Sequence, residues 1–153
     1  MADFAGSPVQ AHQFDAVAPK EGVAMLHWLT VNYTHAAGTG TGEVDLCTLP
    51  AGPLRLLTPL CHYATSQYAA SAALSIGFRE YVDAAGDTVN EDASVLLDTA
   101  DVATGAVPET PCDLPAAGYL DVNSHAGIVV FATIDGGNIE DGDTLEFRAA
   151  WLT

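Results

Sequence analysis

Short runs in which apolar and polar residues alternate, each closed by Gly, Pro or Asn, most tightly limit what this chain can fold into. Side chains on a strand point to opposite faces with a period of two, so such runs form strands with one buried face. The pattern is clearest between Leu49 and Asp92. There a Leu49-Pro-Ala-Gly52 turn launches one run, Ala72–Val82 forms a second, and an acidic turn follows. In Ala72–Val82, Leu74, Ile76, Phe78 and Glu80 are expected on one face, with Ser75, Gly77, Arg79 and Tyr81 on the other. The two-residue period of such a run argues for a strand, and no coiled-coil heptad is present.

The same reading extends along the chain. Val23–His35 (VAMLHWLTVNYTH) is a long strand, central or at an edge, with Met25, His27, Leu29, Val31 and Tyr33 on one face and Leu26, Trp28, Thr30 and Asn32 on the other. Ala37-Gly-Thr-Gly-Thr-Gly42 reads as a hairpin loop. It lacks the G-x-G-x-x-G spacing and the following lysine of a phosphate cradle. Glu43–Thr48 is a short strand. Leu54–Tyr63 resumes as strand, with Pro59 demoting it to an edge or marking a bulge. Ala64–Ser71 is expected as loop. Asn90 is placed to cap a short helix through Glu91–Leu97, with acids in its first turn. Asp98–Ala116 is proline-punctuated and reads as irregular. Gly118–Asn123, Gly127–Ile134 and Thr144–Leu152 are three more strands, and Asp135–Asp143 is a turn-rich acidic loop. Residues 1–22 show no sustained period and are expected as an extended arm, leaving 23–153 as one β-sandwich domain. The fold class is therefore all-β, a sandwich or barrel with one short helix.

Charge narrows the function. Four Lys plus Arg stand against 20 Asp plus Glu, a formal net charge of -16. A field of that sign repels phosphate backbones and disfavours direct binding to nucleic acid. It favours a basic partner, a bound cation, or solubility in a salty medium. No run of apolar residues reaches membrane-helix length, and no basic segment precedes an apolar core at the N-terminus. The expectation is a soluble chain made in the cytoplasm. Cys47, Cys61 and Cys112 are widely spaced with no C-x-x-C, which argues against a zinc site; three free thiols, Cys112 the most exposed, are favoured over one disulfide with an odd thiol left over.

The residues that could carry chemistry do not converge in sequence. His12, His27, His35, His62 and His125 form neither H-x-H nor H-x-x-x-H pairs. No G-x-S-x-G elbow is present. Glu80, on the buried-looking face near Arg79, is a candidate for acid–base work, but an edge ion pair is the commoner explanation. Asp83, Asp87, Asn90, Glu91 and Asp92, and then Asp135, Asn138, Glu140, Asp141 and Asp143, are oxygen-rich loops of the sort a hard cation takes, without EF-hand spacing. Trp28, Tyr33, Tyr63, Tyr68, Tyr81, Tyr119 and Trp151 would make a sugar platform only if exposed together. No catalytic, cofactor-binding or metal residue is assigned.

The order of a long first strand, Leu49-Pro-Ala-Gly52, an apolar strand, Leu74-Ser-Ile-Gly-Phe-Arg79 with its acidic loop, and a terminal Gly142-Asp-Thr-Leu-Glu-Phe-Arg-Ala-Ala-Trp151 resembles small β-rich virion proteins of tailed bacteriophages. Capsid decoration (cement) proteins and related head accessory proteins are the nearest of these, over residues 23–152. The resemblance implies a jelly-roll-like sandwich, assembly as a homotrimer, and docking on the major capsid protein at the outside of the shell after synthesis in the host cytoplasm. It brings no catalytic residues. A tail or head-fibre component, a carbohydrate-binding sandwich module and, less well supported, a carboxylate hydrolase are the competing readings.

Overall fold

The computed structural model describes residues 25–36 and 40–153. The expected arm at residues 1–22 and the tip of the first glycine loop lie outside the described residues.

The chain builds two antiparallel sheets. One is organised around the terminal strand β12 (Thr144–Leu152), whose sequence TLEFRAAWL turns Leu145, Phe147, Ala149 and Trp151 inward. Strand β1 (Leu26–Thr34) pairs along one edge of β12 in unbroken register from Leu26↔Leu152 to Thr34↔Thr144. The opposite edge of β12 is shared. Strand β3 (Gly52–Leu56) pairs with its end and β4 (His62–Thr65) with its first half. Beyond them lie β10 (Leu120–Ser124), on β3, and β9 (Val107–Pro111), on β4. The second sheet runs in the order β2 (Gly40–Leu49), β11 (Ile128–Ile139), β5 (Ala73–Phe78) and β8 (Asp92–Asp101). A small hairpin, β6 (Tyr81–Val82) with β7 (Thr88–Val89), stands apart.

The two sheets face each other across one contiguous core. Leu54, Leu56, Tyr63, Leu145 and Phe147 from the first meet Leu49, Leu74, Ile76, Leu96, Val130 and Ile134 from the second. The chain crosses repeatedly between the sheets, as from β1 to β2 to β3 and from β10 to β11 to β12, and the result is a jelly-roll-like antiparallel sandwich. Alternation held where it was strongest. Leu74, Ile76 and Phe78 are buried as a set, and β12 spans the residues expected for it.

Four local expectations are corrected. Asn90–Leu97 is not a capped helix: the chain enters β8, which pairs Ile76↔Leu97 and Phe78↔Asp92. Burial of Leu96 and Leu97 against the opposing sheet outweighs the helical signal of the acids, which serve other purposes. Leu54–Tyr63 is not one strand. Pro59 sits in a 3₁₀ turn (Thr58–Leu60) that separates β3 from β4, as a residue without an N–H requires. Asp98–Ala116 is less irregular than its prolines suggest, since β8 runs to Asp101 and β9 carries Pro108 and Pro111 on a sheet edge. Strand β11 runs to Ile139, so the second acidic loop shrinks to a turn at 140–143.

Candidate functional site

Arg79, at the end of β5, is the most heavily engaged polar side chain among the described residues. Its guanidinium lies 3.9 Å from the centre of the Phe131 ring and donates to Glu43, to Asp45 at 2.9 Å and to Glu91 at 3.1 Å. Glu43 and Asp45 come from β2, and Glu91 from the approach to β8, so one cation ties three segments of the second sheet together. Hydrogen bonding to Glu43 first, then to Glu91 and Asp45, raises its pKa further above the ordinary arginine value. Phe131 is fully buried without belonging to the inter-sheet core. It lies on the outer face of its sheet, where Arg79 covers it. Glu80, expected on the buried face as Arg79's partner, is exposed and makes no ion pair with it. The cluster is a clamp: its three carboxylates are all engaged by one guanidinium, which they in turn occupy.

The acidic loops also fold themselves. One Asp83 carboxylate oxygen accepts the backbone N–H groups of Ala85 and Asp87, both at 2.9 Å, and Asp92 accepts that of Ser94 at 3.0 Å. Asp143 is buried, accepting the Glu140 N–H at 2.7 Å and the Ser66 hydroxyl at 3.4 Å. Such side-chain-to-backbone bonds are turn chemistry. Among the described residues, no three His, Cys, Asp or Glu side chains gather as a metal cage would require.

Cys61 and Cys112 are buried and Cys47 is half-buried; all three are free. Cys112 is therefore corrected from exposed to interior, where its N–H donates to the Cys61 carbonyl at 2.7 Å. Burial pushes the Cys47 thiol up to about 12 and raises those of Cys61 and Cys112 as well. Thiols held protonated in this way are poor nucleophiles.

The aromatics do not form a common platform. Tyr63, Tyr68 and Trp151 are buried, with Trp151 stacked 5.5 Å from His27, while Tyr33 and Tyr81 are half-buried. Of these aromatics only Trp28, on β1, and Tyr119, just before β10, are exposed, and β12 and β3 lie between those two strands. One buried network escaped sequence reasoning. The His35 ring lies edge-on to Tyr33 and Tyr68, its Nε2 is 2.9 Å from the Tyr68 hydroxyl, and that hydroxyl donates to the Thr144 carbonyl at 3.3 Å. Burial lowers the His35 pKa, and Asp143 partly opposes this. Neither His35 nor Tyr68 carries a motif, and their 33-residue separation hides the pairing from any local pattern.

What remains is surface. Cross-strand register places Leu26, Trp28, Thr30, Asn32 and Thr34 of β1 on the same outer face as Arg148 and Leu152 of β12, Arg55 of β3 and Asp121 of β10. Two shallow grooves cross this face. One of about 500 Å³ includes Asn32, Thr34, Ser66 and Glu146; the other, of about 480 Å³, includes Pro53, Arg55, Asn123 and Leu152. Arg55 forks onto Asp121 at 2.6 and 2.8 Å and lies 4.3 Å from the Tyr119 ring, and Arg148 pairs with Glu109. Neither groove sets a nucleophile beside a base. The face is broad, shallow and mixed, suited to another macromolecule more than to a small substrate.

No protein-family model and no curated protein matches the chain. Among solved structures, a chain of the cyanophage Pam1 capsid asymmetric unit superposes with a TM-score of 0.57 at 12% identity, over 84% of this chain and 85% of that one. At that identity the likeness is one of fold. A chain in the acid-stable capsid structure of Helicobacter pylori bacteriophage KHP30 (TM-score 0.38, 12% identity, 84% and 94% covered) is more distant. So is infectious bursal disease virus Gt strain (TM-score 0.45, 9% identity), where this chain spans 83% of its own length but 35% of the other chain. These two bear no weight here.

Proposed function

We propose that this chain is a virion structural protein, and specifically a capsid decoration protein that binds the outside of a major capsid shell and stabilises the mature head. One observation carries the reading: 84% of this chain shares its fold with 85% of a chain of a cyanophage capsid. The chemistry is consistent with it. The clusters around Arg79, in the acidic turns and at His35 are taken up by contacts within the sandwich. A cement protein needs contact area and shape complementarity across neighbouring shell subunits, and no pocket. Its acidic exterior suits a basic docking surface on that shell.

Cryo-microscopy of purified virions tests this. The expected result is one copy of this sandwich at each equivalent position of the shell lattice, and shells stripped of it should release DNA at lower temperature. Absence from virions, or density at a single vertex only, would overturn the decoration reading.

A further inference from the structure

We propose that β1, with the outer sheet face beside it, is where copies of this chain bind one another. The inference stands on the chain's own surface and is independent of the capsid reading.

A strand at a sheet edge offers unpaired N–H and C=O groups to any other strand, and proteins normally blunt such edges. Four of the five sheet edges among the described residues are blunted. Strand β9 carries Pro108 and Pro111. Strand β10 is short, five residues, and its C-terminal end is capped by the 82–84 segment, through Ala84 N–H to the Asn123 carbonyl, His125 N–H to the Val82 carbonyl, and the Asp83↔Ser124 bridge. Strand β8 is twice interrupted in register and bears Asp92, Asp98 and Asp101. Strand β2 has a register shift beside Asp45 and exposes Glu43 and Asp45. Strand β1 has none of these devices. It is nine residues long, in unbroken register, and contains no Pro, no Gly and no Asp, Glu, Lys or Arg.

The direction of its free groups follows from its pairing. Met25 and Thr153 exchange both backbone bonds, and the His35 N–H donates to the Asp143 carbonyl in the same register. Hydrogen-bonded pairs alternate along an antiparallel ladder, so the odd residues of β1 bond to β12. Leu26, Trp28, Thr30, Asn32 and Thr34 therefore direct their N–H and C=O groups away from β12, to an edge on which no described strand lies. The same residues hold their side chains on the outer face, where Leu26 is 44% and Trp28 51% exposed. Of five large exposed hydrophobic residues, Met25, Leu26, Trp28 and Tyr119 belong to this sheet or its ends; only Val82 lies elsewhere.

Charge selects the occupant. Two copies of a chain with net charge -16 repel each other unless they meet on a surface free of that excess. The outer face of this sheet sets Arg55 and Arg148 against Glu109, Asp121 and Glu146, so it is close to neutral. The other described residues set Arg79 alone against fourteen carboxylates. A basic partner would be drawn to that acidic remainder, whereas a second copy is admitted only at β1 and its neighbouring face. Pairing of edges would add backbone bonds to the burial of Trp28 and Leu26.

Sedimentation and light scattering of the full chain test the proposal, alongside Leu26→Lys/Trp28→Glu and a Val82→Glu control. Wild type and control should run at an integer multiple, two or more, of 15.8 kDa, with the multiple reading the symmetry. The double variant should run as a folded monomer, with the native circular dichroism and a melting temperature that no longer depends on protein concentration as wild type's does. Amide exchange at Leu26, Trp28, Thr30, Asn32 and Thr34 should slow as concentration rises. A monomeric wild type, or an assembly that persists in a folded double variant, would overturn it. So would protection of those amides in a monomer, which would place residues 1–24 on the edge instead. A monomer that still decorates shells sinks only this inference, and an oligomer absent from virions sinks only the capsid reading.

Discussion

Single residues in this protein show how much polar chemistry a fold can absorb without becoming an active site. His35 is the titratable case. Its folded-state pKa lies below the ordinary 6.5 because burial disfavours the imidazolium. The unfolded chain therefore takes up a proton near pH 6.5 that the folded one refuses until lower pH. Stability from this site is complete above pH 6.5 and declines as pH falls through 6.5 towards the folded pKa. Thermal melting between pH 7.5 and 5 should show a steeper loss for wild type than for His35→Gln, which starts lower through its altered bond to Tyr68; parallel profiles would contradict the account. Arg79 gives a second measure. Arg79→Met keeps an apolar cover over Phe131 but leaves Glu43, Asp45 and Glu91 facing one another. A loss of about 1–2 kcal/mol at low salt is expected, shrinking as salt screens the three carboxylates. A loss that grows with salt would show that the clamp is not electrostatic.

At the scale of elements, legibility followed how far a residue's environment was set by its own neighbours in sequence. Strand β12 and the inward face of β5 were readable because strict alternation against a single core leaves no other solution. Strand β8 was misread because Asn90, Glu91 and Asp92 look like a helix start. The residues that decide the matter, Ile76 and Phe78 on β5, are more than a dozen positions away. Gly77 records that meeting. A Cβ built there would lie 1.9 Å from the Asp92 carbonyl oxygen and 2.4 Å from the Ala93 carbonyl carbon, so the β8 backbone passes directly over a position that must lack a side chain. Gly77→Ala should cost about 1–3 kcal/mol by forcing the two strands apart, while Gly86→Ala, in open space, should lose stability only through its positive φ. Denaturant titration that ranks Gly86→Ala as the more damaging would refute the close approach. The sequence showed glycine in a strand interior, but a bulge, a bend and a passing backbone all look alike there.

For the whole molecule, the unread property was the distribution of charge. Net charge is visible in composition, whereas its concentration away from one sheet face required the register of β1, β3, β10 and β12. If both proposals hold, that distribution predicts two kinds of contact with opposite responses to salt. Association through the near-neutral β1 face would bury the exposed Leu26 and Trp28, so it should hold or strengthen as ionic strength rises. The acidic four-stranded side, with Arg79 as its single described cation, would meet a basic shell through exposed charges, and that attraction is screened within about 10 Å at 0.1 M salt. Binding of the purified protein to shells lacking it should therefore weaken by about tenfold or more between 50 and 500 mM NaCl, chiefly through slower association. Over the same range its self-association should not weaken. Glu43→Gln/Asp45→Asn should flatten the salt dependence of shell binding at some cost to the Arg79 clamp, and Trp28→Glu should leave that dependence unchanged. Shell affinity that is indifferent to salt would mean that the acidic side faces solvent and that docking uses an apolar surface instead.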